Sequence, residues 1–243
     1  MMRLDRWLVT LGEGSRSQVQ KLIRQGAAAV DGRVVTDPGV GCDPAAQSLS
    51  LRGVPLDGRL IRHVMLHKPA GLLTAARDKK QPTVMDLLPP VYTAIGCMPV
   101  GRLDKDTTGL LLLTCDGEMN HRLLAPARHV DKTYRATVDG LLSEADVRAF
   151  AAGLHLSDFD AQPARLVILS SGEDRSVAEV TVHEGKFHQI KRMFAAVGRE
   201  VTALHRLNFG PLSLDEALIP GAWRELTESE LHALYRAAAM EEA

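Results

Sequence analysis

Apolar residues recur along this chain in two rhythms, helical and alternating, and the order of the rhythms resets near residue 60. In LDRWLVTLG, Leu4, Trp7, Leu8 and Leu11 share one helical face. In GSRSQVQKLIRQG, Val19, Leu22 and Ile23 would face that first helix, leaving Arg16, Gln20, Lys21 and Arg24 towards water. Ser15 or Ser17 is placed to cap this second helix and Gly26 to stop it. AAAVDGRVV then predicts a hairpin turning on Asp31-Gly32, and LSLRGVPLDG a further short strand and turn. TDPGVGCDPAAQ is a loop inside this unit.

After Asp57-Gly58 the pattern begins again. RHVMLHKPAGLLT predicts a strand running into Lys68-Pro69, and TVMDLLP a short helix ended by proline. The run Leu110 to Leu113 is a buried strand, and HRLLAPARHVDKTYRATVDG a short helix, a loop and a strand from Lys132 to Val138. SEADVRAFAAGL is a helix with Ser143 as cap and Gly153 as stop. A hairpin follows in ARLVILSSGEDRSVAEVTVHEGK, then an amphipathic helix in FHQIKRMFAAVG. Phe187, Ile190, Met193 and Phe194 are its expected core residues. Strands VTALHRLNFG and PLSL and a capped helix in TESELHALYRAAA complete the unit. Strands and helices mix without a βαβ rhythm, so the expected class is α+β with a largely antiparallel, mixed sheet. The expected domains are 1–58 and 61–235.

Composition narrows the function classes. With 45% hydrophobic and 24% charged residues over 243 positions, the chain reads as an ordinary soluble protein, and no apolar run approaches the roughly 18 residues of a membrane helix. Asp5 and Arg6 interrupt any signal-peptide core, and Cys42, Cys97 and Cys115 form neither a disulfide framework nor a zinc ribbon, so a reducing cytoplasm is the expected location. A monomer is the default expectation. The net charge of −1 hides an asymmetry. Residues 1–62 carry nine Lys/Arg against six Asp/Glu, residues 63–212 eighteen against seventeen, and residues 213–243 two against seven. An acidic tail thus masks a mildly basic body, which leaves a polyanionic partner open.

The candidate chemistry gathers in PVGRLDKDTTGLLLLTCDG, where Arg102, Asp104, Lys105 and Asp106 stand directly before the leucine strand. An aspartate at the mouth of a buried strand is poorly solvated and seeks a cation; Arg102 and Lys191 are the candidates. Asp106 and Asp116 are explained by turn and cap duties. Tyr134 in DKTYRATV stands out in a chain with three tyrosines. No Walker loop, dinucleotide fingerprint or metal-ligand cluster is present, and no cofactor or metal is expected.

The segment RLDRWLVTLGEGSRSQVQKLIRQGAAAVDGRVV, Arg3 to Val35, resembles the S4 RNA-binding domain. This resemblance implies that Arg3, Arg6, Ser15, Arg16, Ser17, Lys21 and Arg24 face structured RNA. No acidic residue falls between Ser15 and Val30, where a merely solvated helix mixes both signs. VGRLDKDTTGLLLLTCDG, MLHKPAG, DKTY, EGKFHQIKRMFAAVG and VTALHRLNFGPLSL resemble, in order and spacing, the pseudouridine synthases that carry an S4 domain. The last two motifs are most similar to the small-subunit (16S) rRNA branch. The resemblance implies a catalytic domain with a central cleft and isomerisation of a uridine in ribosomal RNA or in a ribosome-assembly intermediate. It implies Asp104 as nucleophile, with Arg102 two residues before it, Tyr134 stacking on the target base and Lys191 as the paired cation. Other branches carry arginine at the Lys191 position, and asparagine is common where His67 stands. Lys68 and Lys132 are expected at the RNA, while His188, Gln189 and Arg192 either touch RNA or brace the cleft. Two other readings stand beside this one. One is a non-catalytic RNA-binding assembly factor. The other is a metal-dependent nuclease using Asp104 and Asp106 as a D-x-D pair.

Overall fold

In the computed structural model, which describes residues 1–240, the chain folds as two units. Met1–Arg62 with Leu88–Cys97 form one; His63–Leu87 with the residues described from Met98 onward form the other.

Helices α1 (Leu4–Thr10) and α2 (Arg16–Arg24) in the first unit bury Leu4, Trp7, Leu8, Val19 and Ile23 completely. Each such side chain contributes roughly 1.5–3 kcal/mol. Ser15 is the cap of α2: its hydroxyl accepts from the Gln18 amide while the Gln18 side chain accepts from the Ser15 amide. Strands β1 (Ala28–Val30), β2 (Arg33–Val35), β3 (Leu49–Leu51) and β4 (Val54–Leu56) form an antiparallel sheet in the order β2-β1-β3-β4. Both residues of the Asp31-Gly32 turn have positive φ, 49° and 73°, which is why Asp-Gly occupies it. The short helix α3 (Pro90–Ala94), which the sequence pattern did not show, belongs to this unit.

The second unit is built on a nine-stranded sheet. Its main path uses β5 (His63–Lys68), β6 (Thr108–Thr114), β7 (Lys132–Asp139), β8 (Arg165–Ser170), β9 (Arg175–Val182), β10 (Val201–Phe209) and β11 (Trp223–Glu225). The order is β8-β9-β7-β10-β6-β5-β11, with Met98–Pro99 on β6 and Leu212–Ser213 on β10. All pairs are antiparallel except β10–β6, which meet at His205 opposite Thr108 and Arg206 opposite Gly109. Strand β6 has partners on both edges, and Leu110 to Leu113 are all fully buried, so the strand reads as a continuous apolar run. Strand β7 alternates instead, placing Lys132, Tyr134, Ala136 and Val138 on its buried side. Helices α4 (Gly117–Leu124), α5 (Glu144–Ala152) and α7 (Glu228–Ala237) are capped by Asp116, Ser143 and Thr227; α6 spans Gln189–Ala196.

Two expectations need correction. TVMDLLP forms only a 3₁₀ turn, Val84–Leu87. The acidic C-terminal stretch carries the capped helix that its sequence predicts, and β11 pairs with β5; Leu234 and Tyr235 of α7 are buried, while Arg224 binds Asp215 and Glu230 (Glu241 and Glu242 lie outside the described residues). Phe187 is not core but 74% exposed. The helix begins only at Gln189, and His188 adopts left-handed φ (51°), so the helical period does not reach Phe187.

Candidate active site

The turn that carries Asp104 is held from below by a buried lysine. Lys68, at the end of β5, is fully buried and its ammonium donates to the carbonyls of Pro69 (3.0 Å), Lys105 (3.2 Å) and Thr107 (2.9 Å). The Gly71 amide also donates to the Lys105 carbonyl, and the Thr107 amide closes the turn on Asp104 O. Thr74 braces Leu103 from the other side, its hydroxyl donating to the Leu103 carbonyl at 2.7 Å. Burial pushes the Lys68 ammonium down to about 8, against the pull of Asp106 and Asp104. Three carbonyl acceptors satisfy all three of its protons, which is how the charge is tolerated there.

Two side chains from the start of α6 reach the Asp104 carboxylate. His188 Nε2 lies 3.5 Å from Oδ1 and Lys191 Nζ lies 3.6 Å from Oδ2. Lys191 is closer to Asp106, donating to both of its oxygens at 2.8 and 2.7 Å and holding that carboxyl below the usual range. Asp106 therefore does more than turn the chain: it shares one cation with Asp104. One ammonium thus lies between the two carboxylates, nearer Asp106. Among the described residues, no group of three His, Cys, Asp or Glu side chains is placed to hold a metal.

Tyr134 and Arg102 line the same cleft as Asp104, with Thr107, Glu184, Lys186, His188 and Lys191. Arg102 is exposed and makes no side-chain hydrogen bond or ion pair among the described residues. Tyr134 lies opposite Arg206 of β10, whose guanidinium carbon is 6.0 Å from the tyrosine ring and 5.3 Å from the Phe209 ring. Arg206 is 1% exposed; its Nε donates to Leu110 O at 2.7 Å, and its Nη2 has no partner among the described residues. An arginine two residues from buried Leu204, on the same face of the strand, was the available signal, and sequence reasoning passed over it. His67 keeps a polar contact, its Nδ1 lying 2.6 Å from the carbonyl oxygen of Leu218.

The residues expected at RNA divide sharply. Arg3, Arg6, Ser15, Arg16, Ser17, Lys21 and Arg24 are all exposed on the first unit. Asp5, fully buried, gathers Arg3 (3.0 Å), Gln20 (2.7 Å) and Arg16 (3.4 Å); the Arg3 guanidinium above all keeps its carboxyl far below the usual range. Two of the residues expected at RNA are enclosed, and two of those left open between RNA contact and bracing make bracing contacts. Lys68 is enclosed, as described. Lys132 is buried, donating to Val130 O and His183 O, and burial lowers it to about 8. Gln189 is 5% exposed and braces the loop through Glu184 Oε2 and the Lys186 amide. Arg192 is committed to Asp158 and Ser157 and lies over the Phe159 ring.

Residues 62–196 match the family model of RNA pseudouridylate synthases, more than half of the chain. The chain belongs to that family. The S4 domain model matches residues 2–47 of the synthase, so its fold is an N-terminal S4 domain followed by a pseudouridine synthase domain. It is 43% identical to the RNA pseudouridine synthase YtzG of Bacillus subtilis, over 96% of this chain and 98% of that one. It is 42% identical to the ribosomal small subunit pseudouridine synthase A of Pseudomonas aeruginosa, over 95% and 99%. The ribosomal large subunit pseudouridine synthase B of Bacillus subtilis is 36% identical over 96% of each chain. Among solved structures, a crystal structure of a pseudouridylate synthase superposes with a TM-score of 0.67, 35% identity and coverage of 96% of this chain and 100% of that one. The synthase is thus an isomerase by family, and the cleft around Asp104 is its candidate active site.

Proposed function

We propose that the synthase converts a uridine of small-subunit ribosomal RNA to pseudouridine, with Asp104 as the nucleophile. The observation that carries the reading is Asp104 on a clamped turn, between His188 at 3.5 Å and Lys191 at 3.6 Å, in a cleft also lined by Tyr134 and Arg102. Small-subunit substrates are supported by the name of the 42%-identical relative. The domains assigned are 1–58 for RNA binding and 61–235 for catalysis, acting in the cytoplasm as a monomer.

The isomerisation balances without an added reactant. The N1–C1′ bond breaks, the uracil turns, C5 bonds to C1′, the C5 proton leaves and N1 gains one. The base leaves the stack first, at a cost of a few kcal/mol, and stacking on Tyr134 recovers part of it. Asp104 adds covalently to the nucleoside and so divides one hard step into two. The detached uracil carries negative charge, which Arg102 and the Lys191 ammonium, both lining the cleft, would offset.

The test has two parts. Pseudouridine mapping of rRNA from cells with and without the protein identifies the site; a position lost from large-subunit rRNA instead would overturn the subunit assignment. Asp104→Asn then lowers product formation by at least about 10³-fold while RNA affinity stays within about threefold. Normal turnover by that variant would remove Asp104 from its role.

A further inference from the structure

We infer that Phe187 is a stacking wedge that fills the gap left in the RNA when the target uridine swings into the cleft. This deepens the function proposed above and rests on it.

Phe187 is 74% exposed, the most exposed of the Phe, Tyr and Trp rings that the structure describes, and it stands in the chain between Lys186 and His188, which both line the cleft. Its ring is stacked on His188, with centroids 3.8 Å apart and planes tilted by 18°. His188 in turn lines the cleft and places Nε2 3.5 Å from the Asp104 carboxylate. The two rings thus form a pile that starts beside the reacting centre and ends in solvent.

Two features show that this placement is held. His188 is the N-cap of α6 with φ at 51°, a conformation that costs a non-glycine residue free energy and persists where the surroundings over-determine it. The helix after it is anchored by buried Ile190, Met193 and Phe194, so the residue before the cap is set by a rigid element. Leaving a phenyl ring in water forfeits the burial that the rest of this helix obtains. A flat apolar ring bonded to the segment that carries a group at the nucleophile matches the π-face of a base. A stacked RNA helix that has lost one base exposes such a face, and the free face of Phe187 covers it while its other face stays on His188. Lys186, exposed and one residue before Phe187, adds the positive charge that would meet the flanking phosphate.

The experiment places 2-aminopurine beside the mapped uridine in a structured rRNA fragment. The full-length protein carrying Asp104→Asn binds without turning over, and its binding raises the fluorescence as the stack opens. Adding Phe187→Ala removes most of that rise at saturating protein, whereas adding Phe187→Trp or Phe187→Tyr retains it. In the Asp104 background, Phe187→Ala lowers kcat/KM by about 10- to 100-fold, aromatic replacements restore it to within about threefold, and Phe187→Leu does not. The exposed ring contributes little to folding, so the thermal midpoint of each variant stays at the wild-type value. An undiminished fluorescence rise with Phe187→Ala, or full rescue by leucine, would overturn the wedge. Turnover by Asp104→Asn would instead overturn the nucleophile while leaving the fluorescence comparison decisive.

Discussion

Lys68 is where sequence and function meet most tightly at the scale of one residue. Its ammonium grips the two carbonyls that flank Asp106, and burial holds it at about 8 instead of 10.5. Below pH 8 both folded and unfolded chains carry the charge, and the folded state bears the full cost of burying it. Between about 8 and 10.5 the unfolded chain binds more protons, so stability rises with pH. We expect the stability difference between wild type and Lys68→Met to grow by up to about 3 kcal/mol over that window, measured by chemical unfolding at a series of pH values. A flat difference would mean that the ammonium is not enclosed. Asp106 makes the complementary point: a residue expected only to turn the chain holds the cation that also faces Asp104.

Between elements, the decisive joint is the single parallel pairing in the sheet, β10 against β6. Gly109 there has φ at 103°, and a Cβ built on it would lie 2.3 Å from the Arg206 carbonyl oxygen. No side chain fits, and the close approach lets Arg206 reach Leu110 O and lie near the Tyr134 ring. Gly109→Ala should cost about 3 kcal/mol or more, a fall in thermal midpoint of about 8 °C for a unit of this size. Calorimetry of the purified variant would show it, and a midpoint within a degree of wild type would refute the constraint. Helix α6 works by a different logic. Its buried face supplies rigidity, and its first turn supplies Lys191 to the carboxylates.

For the whole molecule, the relevant quantity is where charge lies rather than its sum. The net charge of −1 is compatible with RNA binding because α2 presents Arg16, Lys21 and Arg24 with no acidic neighbour in its sequence. Replacing all three with alanine should weaken rRNA binding by about 10- to 100-fold and reduce the slope of log affinity against log salt by about 2. Titrations at several salt concentrations measure both; an unchanged slope would exclude α2 from the phosphate contacts. The effect belongs in KM, because Asp104 and its partners lie in the other unit.

The Asp31-Gly32 hairpin, the Ser143 and Thr227 caps, the leucine strand and the amphipathic face of α6 were legible in the sequence. Each depends on residues within a few positions of one another, so local propensity and period decide it. The motif order likewise led to the family, and put Asp104 forward as the candidate nucleophile. Only the tertiary structure decided that Lys68, Lys132 and Gln189 are internal braces, that Phe187 is exposed, and that Lys191 is shared by two carboxylates. Those outcomes join positions far apart along the chain, 85 residues in the case of Lys191 and Asp106. A charged side chain reads the same in sequence whether water or three carbonyls solvate it. Folding alone selects between them, by where it leaves room for solvent.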